Sequence, residues 1–572
     1  MLQIKTSLEK AGNHLAFPFE RLEMTVLRAI PLIAILTIAS AAQALPAGIK
    51  SALDKEHIGL LDAGPLKLTD GKCADCASSP QSLWFFQNDV IAAPTSGAMT
   101  AGVSPRLDRR ADITQWAATS EASQLRYPSV TWLGAPLIID NARIDGGAVT
   151  PAGGPSIPYT LVPKLAANRS YANAATTAYF ADRPLRMRGT LVDKDGKQQF
   201  VARMIWPLDY AIDGARMPAH VIGTSADLQG FVRDKALASD GKLASRLVWE
   251  RAPGAGRALA GKPVLGIVLN GAQGDDDESI GGHFAVATGR FGPHGEWADW
   301  ATNNFYNLDT VSEKGIIAAT LPMDNYLMDL NSGQQYYRPS YMLVAVLSNA
   351  RTAVAYQGGV QRTLNHFYLH DLAYDGATNN CAGLSMDVFR ALGWNVPERG
   401  PTNRLKAVGA YAWVAAKQGS LKKGRGIYDY LSEETTRLLP AVAFDAVGLD
   451  LLQLVGAMPA TARKLSPYEQ QLKDDVEAII LVKIPQVPSS RVAGAAPAYS
   501  FDEYMARVPA DQDQWQVVPV PPRPFPAALR DPAAGAPATP SLVPLPVAAI
   551  GMAGLFGGGA LWRRRRSRAD KN

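Results

Sequence analysis

Cysteine is nearly missing from this chain, with three residues among 572, two of them close together in Cys73-Ala74-Asp75-Cys76. That scarcity excludes a disulfide-stapled scaffold. A structural zinc would need two more ligands than the pair provides, and the nearest histidine, His57, is poorly placed to supply one. A thioredoxin-like redox site would need a βαβ pattern after the pair, and Ser79-Pro80-Gln81-Ser82-Leu83-Trp84-Phe85-Phe86 does not supply it. The simplest expectation is a small local disulfide between Cys73 and Cys76, which leaves Cys381 as the unpaired thiol. Charge is sparse as well: 19% of residues are charged, and the net +5 draws heavily on the last ten residues, so no nucleic acid partner is implied. At 47% hydrophobic the chain is not disordered, and it is long enough for two or three domains with real cores. No internal repeat stands out.

The two ends suggest where the chain works. Arg28 is followed by the apolar run Ala29 to Leu36 and by Ala42-Gln43-Ala44, the layout of a secretory signal peptide cleaved after a small residue. The mixed charges before it make Met24 the expected start. At the other end, Leu542 to Trp562 is almost continuously apolar and of about bilayer-spanning length, and Arg563-Arg564-Arg565-Arg566-Ser567-Arg568 follows it. A transmembrane helix is therefore expected there. That segment opens with Val543-Pro544-Leu545-Pro546-Val547-Ala548 and resembles the VPLPA variety of PEP-CTERM sorting signals on exported Gram-negative bacterial proteins, with Val547 where alanine is usual. The resemblance implies a signal peptidase and an exosortase-type sorting enzyme as partners, with delivery to the cell surface or an extracellular matrix. The plainer alternative is a permanent membrane anchor with the body facing the periplasm.

Between the ends, the expected organisation is a signal peptide over 1–44, a β-rich domain of unknown function over 45–257, a catalytic-type domain over 258–400, a helical region over 401–483, a Pro/Ala-rich linker over 484–541 and the sorting segment over 542–572. In the first domain, Leu185 to Val192 and Gln198 to Trp206 flank Asp193-Lys194-Asp195-Gly196-Lys197, a hairpin. The string is not a calcium loop, because Leu191 stands at the first ligand position. Trp84, Trp132 and Trp206 are candidates for a sugar-binding face or for core. Farther on, Pro263–Asn270, His283–Gly289 and Trp297–Asn307 read as successive strands, with an acidic loop, Gly274 to Glu278, between the first two. A helical stretch from Ala350 to Tyr374 follows; its His366-Phe367-Tyr368-Leu369-His370-Asp371 lacks the glutamate of a zinc protease, so no metal is expected. Asn403 to Ala416 and Tyr428 to Leu454 read as helices, the latter interrupted at Pro440 and Gly448, and Ser466-Pro467-Tyr468-Glu469 is a capping box.

Chemistry concentrates in two stretches. Gly282-His283-Phe284-Ala285-Val286-Ala287 reads as a strand that opens with histidine. Thr378-Asn379-Asn380-Cys381 leads into a helix with Leu384, Val388, Ala391 and Leu392 at helical spacing, Thr378 or Asn379 as N-cap and Gly393 as the stop. Cys381 thus falls in a first helical turn, where free N–H groups and the helix dipole favour a thiolate. Hairpin geometry places the residue that would orient the imidazole near Asn303 or Asn304, only one of which can face it; Asp299 and His294 remain if the register slips.

The order of strand histidine, polar residue on the next strand and helix-start cysteine resembles the circularly permuted branch of the papain-like superfamily, which includes lecithin retinol acyltransferase-like proteins and permuted relatives of NlpC-type peptidases. Gly282-His283-Phe284-Ala285-Val286 and Asn379-Asn380-Cys381-Ala382-Gly383-Leu384 carry the resemblance, within Gly261 to Glu398. It implies an α+β fold with an antiparallel sheet and a cysteine hydrolase or acyltransferase working through a thioester, with His283 as base. The Cys381 N–H and Asn380 would serve as oxyanion donors, and no cofactor is needed. A peptide, a lipid or a polysaccharide is the implied substrate or partner class. The alternative is a non-enzymatic envelope or exopolysaccharide-matrix protein with a glycan-binding β domain.

Overall fold

A computed structural model describes residues 45–507, apart from 53–56, 63–67, 70–80, 87–88, 95–107, 126–129, 165–169, 273–280, 306–318, 369–371, 373, 375–378, 402–403 and 461. The fold is α+β. Its larger sheet has eleven strands, numbered here along the chain: β1 (Leu68–Thr69), β2 (Gln81–Phe86), β3 (Asp89–Pro94), β4 (Trp132–Gly134), β5 (Ala244–Glu250), β6 (Pro263–Asn270), β7 (His283–Arg290), β8 (Ala301–Asn304), β9 (Ala319–Pro322), β10 (Ser340–Leu347) and β11 (Val476–Ile484). They lie in the order β5-β11-β10-β6-β7-β8-β9-β4-β3-β2-β1, antiparallel except for the β9–β4 and β1–β2 pairs. The helices used below are α1 (Arg109–Ala117), α2 (Met323–Met328), α3 (Arg351–Tyr368), α4 (Cys381–Leu392), α5 (Arg404–Gln418), α6 (Leu421–Ser432), α7 (Thr435–Leu438) and α8 (Pro440–Leu454).

The centre of the sheet is made by sequence that can be buried on both faces. β6 and β10 are buried at every position, and hydrocarbon side chains dominate both, as expected of strands covered from two sides. One face carries α3 and α8: Gln357 of α3 reaches Thr288, and Gly448 of α8 lies where an added Cβ would come 3.1 Å from Leu343. Glycine there lets α8 press on the sheet without breaking, so the expected interruption at Gly448 does not occur, and Pro440 opens the helix instead. The opposite face carries α2 and the indoles of Trp297 and Trp300, both buried. The strand expected from Trp297 begins only at Ala301, with β8, because these two indoles are drawn into the core from a turn, Trp297 donating to the Tyr210 carbonyl at 2.7 Å; residues 306–307 of the expected strand lie outside the described residues.

A six-stranded sheet packs beyond α2. It contains the expected hairpin, Leu185–Lys194 and Lys197–Pro207. Asp195 (φ 55°) and Gly196 (φ 73°) form its turn, both left-handed, and Asp193 Oδ1 accepts the Gly196 N–H at 2.9 Å. Arg186 and Arg188 of this hairpin meet Asp299 and the buried Asp324, bracing the smaller sheet against the larger.

Several expectations change here. The sheet crosses the expected boundaries at 257/258 and 400/401: β1 to β5 come from the supposed β-rich domain, and β11 from the supposed helical region. Trp132 and Trp206 are core, so neither offers a sugar-stacking face. The transmembrane helix is also corrected: among the described residues no helix is long and apolar enough to cross a membrane. The most apolar one, α8, has 15 residues and so spans about 22 Å, short of a hydrocarbon core of about 30 Å, and it is a core helix of the fold. Cys73, Cys76, residues 274–278, the leader 1–44 and the Val543, Pro544, Leu545, Pro546 segment lie outside the described residues.

Candidate active site

His283 opens β7 directly after Gly282, whose φ of +91° only glycine adopts readily. Its register partner on β6 is Asn270, which pairs in turn with Ser340 on β10. Because these positions share a face, they form a polar row: Asn270 Nδ2 donates to Ser340 Oγ at 2.7 Å, and Tyr326 of α2 donates its hydroxyl to Asn270 Oδ1 at 2.5 Å. The His283 ring lies 6.1 Å from the Tyr326 ring, centroid to centroid.

Cys381 is the first residue of α4, as its sequence surroundings predict. The N-cap is Asn380 rather than Thr378 or Asn379; its Oδ1 accepts the Gly383 N–H at 2.8 Å, and its Nδ2 donates to the Leu438 carbonyl at 3.2 Å. Through these two contacts the Asn380 side chain caps the helix. Gly393 (φ +104°) ends the helix in the expected way.

The sulfur of Cys381 reaches the start of β7: the Phe284 N–H, one residue from His283, donates to it, as do Tyr374 and the Ala382 N–H, and the charge of Arg338 acts on it. The chain therefore brings the helix-start thiol to the histidine strand. Burial is the strongest influence on this thiol and pushes its pKa above the ordinary value, in spite of those donors. Cys381 is 4% exposed and His283 6%, so the site is closed in this structure.

Strand alternation separates the two asparagines. The β7–β8 register, Ala287 with Thr302 and Thr288 with Ala301, sets Asn303 on the α3 face and Asn304 on the face of His283 and Ala285. Asn303 is fully engaged there: its Nδ2 donates to the Val286 carbonyl at 3.2 Å, and its Oδ1 accepts from Thr320 at 3.2 Å and Gln357 at 3.3 Å. Asn304 is buried, and its Oδ1 has no hydrogen-bond partner among the described residues. Of the pair, Asn304 is the one that shares a face of the sheet with His283. Asp299 is held by Arg186 and Arg188, and His294 lies in the turn after Arg290, at the other end of β7 from His283.

Sequence reasoning missed Tyr374 and Arg338. Tyr374 stands only seven residues before Cys381, but nothing in its surroundings marks it; Arg338 is distant in the chain, and only the sheet brings it, just before β10, to the same end as the thiol. His366 lies 3.6 Å from Asp112 on α1, in a buried contact that also includes Arg362. Among the described residues no cluster of histidine, cysteine and carboxylates suits a metal. The chain matches no protein-family model, no curated protein and no solved structure.

Proposed function

We propose that the chain is an exported cysteine hydrolase or acyltransferase of permuted papain-like type, acting on an amide or ester through Cys381. The observation that carries the reading is the seat of the sulfur: it is the first residue of a capped helix and receives the Phe284 N–H beside His283. The antiparallel order β6-β7-β8 and the arrival of α4 later in the chain support the permuted layout. Export is supported by the Arg28 to Ala44 leader and by the Val543-Pro544-Leu545-Pro546 motif with its arginine cluster.

Because burial favours the neutral thiol, the chemistry begins from S–H and not from a standing thiolate. His283 takes the thiol proton as sulfur bonds to the acyl carbon, the tetrahedral oxygen is met by the Cys381 N–H, and the imidazolium returns the proton to the departing amine or alcohol. Water or an acceptor nucleophile then gives its proton to His283 and takes the acyl group, which frees the thiol. Asn304 would hold the ring from the same face.

A second reading, a non-enzymatic envelope or matrix component, is favoured by one observation: both Cys381 and His283 are shielded from solvent. One experiment separates the two. The full chain is incubated with a library of peptide, lipid and glycan esters and amides, beside Cys381→Ala and His283→Ala, and Cys381 alkylation by iodoacetamide is followed against pH by peptide mass spectrometry. The acyl-transfer reading expects turnover abolished in both variants and an alkylation rate at Cys381 that falls in His283→Ala. No turnover, with slow alkylation indifferent to His283, selects the scaffold.

A further inference from the structure

Helices α5 and α6 form an antiparallel pair around their own small core of Ala407, Val414, Ile427, Tyr430 and Leu431. Gly424 allows the close approach: a Cβ there would stand 2.8 Å from the Tyr411 carbonyl oxygen. The inner face of α5 is thereby accounted for, and its outer face should be polar in an ordinary surface helix. It is the reverse. Leu405, Val408, Gly409, Ala412 and Ala416, which recur at helical spacing, are all exposed, and none carries a polar group. Leu405 is 85% exposed, Val408 57%, and Leu421, at the tip where α6 begins, 72%.

Cations flank this apolar stripe. Arg404 lies on one side and Lys406 and Lys417 on the other, and Lys417 sits over the ring of the exposed Trp413, 4.4 Å from its centroid. Lys422, Lys423 and Arg425 follow at the tip and along α6, whose single acid, Asp429, pairs with Arg425 at 2.8 Å, while Lys406 pairs with Asp502 at 3.4 Å. An exposed hydrocarbon stripe edged by lysine and arginine, with tryptophan at its margin, matches the two layers of a lipid surface: acyl chains inside, anionic headgroups outside.

We propose that the α5–α6 hairpin docks the protein flat on an anionic lipid bilayer, with Leu405, Val408, Ala412 and Leu421 entering the acyl boundary and the cations meeting lipid phosphates. The charge pattern chooses this occupant over a second copy, because two such faces would oppose cation to cation. The proposal is independent of any chemistry at Cys381.

The test uses amide hydrogen exchange of the full chain with vesicles of phosphatidylglycerol, vesicles of phosphatidylcholine, or none. Exchange over 404–432 should slow with phosphatidylglycerol, slow less with phosphatidylcholine, and recover at high salt. Leu405→Gln/Val408→Gln, which alters exposed positions without changing charge, should keep the circular dichroism spectrum and weaken vesicle binding through this hairpin by about tenfold or more. Vesicle binding elsewhere in the chain with exchange over 404–432 unchanged would overturn the proposal. Protection that grows with protein concentration in the absence of lipid would overturn it too, in favour of a second copy.

Discussion

Asp387 is the pin that fixes α4, and with it Cys381, to the rest of the fold. Its carboxylate is fully buried and meets three guanidinium groups: Arg109 and Arg110 from the start of α1, and Arg437 from α7. Burial pulls the Arg109 pKa down, Asp387 pushes it back up, and the nearby charge of Arg437 opposes it again. Asp387→Ala would leave the largely buried Arg109 without its carboxylate, facing Arg437, which keeps Glu433 at 3.2 Å. Breaking a buried pair in this way costs about 3–5 kcal/mol, whereas the half-exposed Arg110 adds only about 0–1 kcal/mol. Asp387→Asn keeps the shape and one acceptor and should fall between the variant and the parent. Urea unfolding of the full chain, followed by circular dichroism, measures the difference, and repeating it at high salt separates buried from surface contributions, since only the latter are screened. If Asp387→Ala stays within about 1 kcal/mol of the parent, the three arginines are not balanced by this carboxylate and the reasoning fails.

Two further outcomes are expected. Gly282→Ala should cost more stability than Gly146→Ala: both glycines have positive φ, but a Cβ at Gly282 would meet the Asn270 carbonyl oxygen and Pro497 Cβ at 2.7 Å, while one at Gly146 meets nothing within 4 Å. The left-handed backbone alone accounts for about 1–2 kcal/mol, and unfolding curves that rank the two equally would remove the clash from the account. Asp112 gives a pH dependence. Burial alone would raise its carboxyl, but the two hydrogen bonds from Arg362 and the His366 ring 3.6 Å away outweigh burial and hold the pKa below the ordinary value. Its stabilisation is therefore fully present above the ordinary carboxylate range and is lost as pH falls through the lowered value, so Asp112→Asn should flatten the acid limb of a stability–pH curve.

The local elements were legible where one short stretch carried both period and punctuation. Pro263–Asn270 reads as a strand and is one to the residue, and Ser466 caps its helix through the expected reciprocal bonds with Glu469. What could not be read was the neighbour of each strand. β11 lies between β5 and β10 although more than a hundred residues separate it from either, and its nine residues, between a capped helix and a proline-rich stretch, give no hint of their partners. Register had the same fate: Asn303 and Asn304 look equivalent in sequence, and only the pairing of Ala287 with Thr302 assigns them to opposite faces. The larger sheet runs across the expected domain boundaries for a related reason: composition changes along the chain while a sheet recruits strands across it.

The thiol shows how a correct local reading can give an incorrect charge state. A cysteine at the first position of a helix does gain from the dipole, by about 0.3–1 kcal/mol near a surface, and the capped geometry that provides this is present. Donors from Phe284, Tyr374 and Ala382 add to it. Burial, however, disfavours the charged form, and at Cys381 it outweighs the dipole and those donors, so the direction is upward. Helix position alone is thus a poor guide to a reactive cysteine; whether the sulfur is solvated decides the sign. For the proposed acyl transfer the consequence is specific: attack by a neutral thiol needs a base in place, and the proposal assigns that part to His283, whose chain neighbour Phe284 acts on the sulfur.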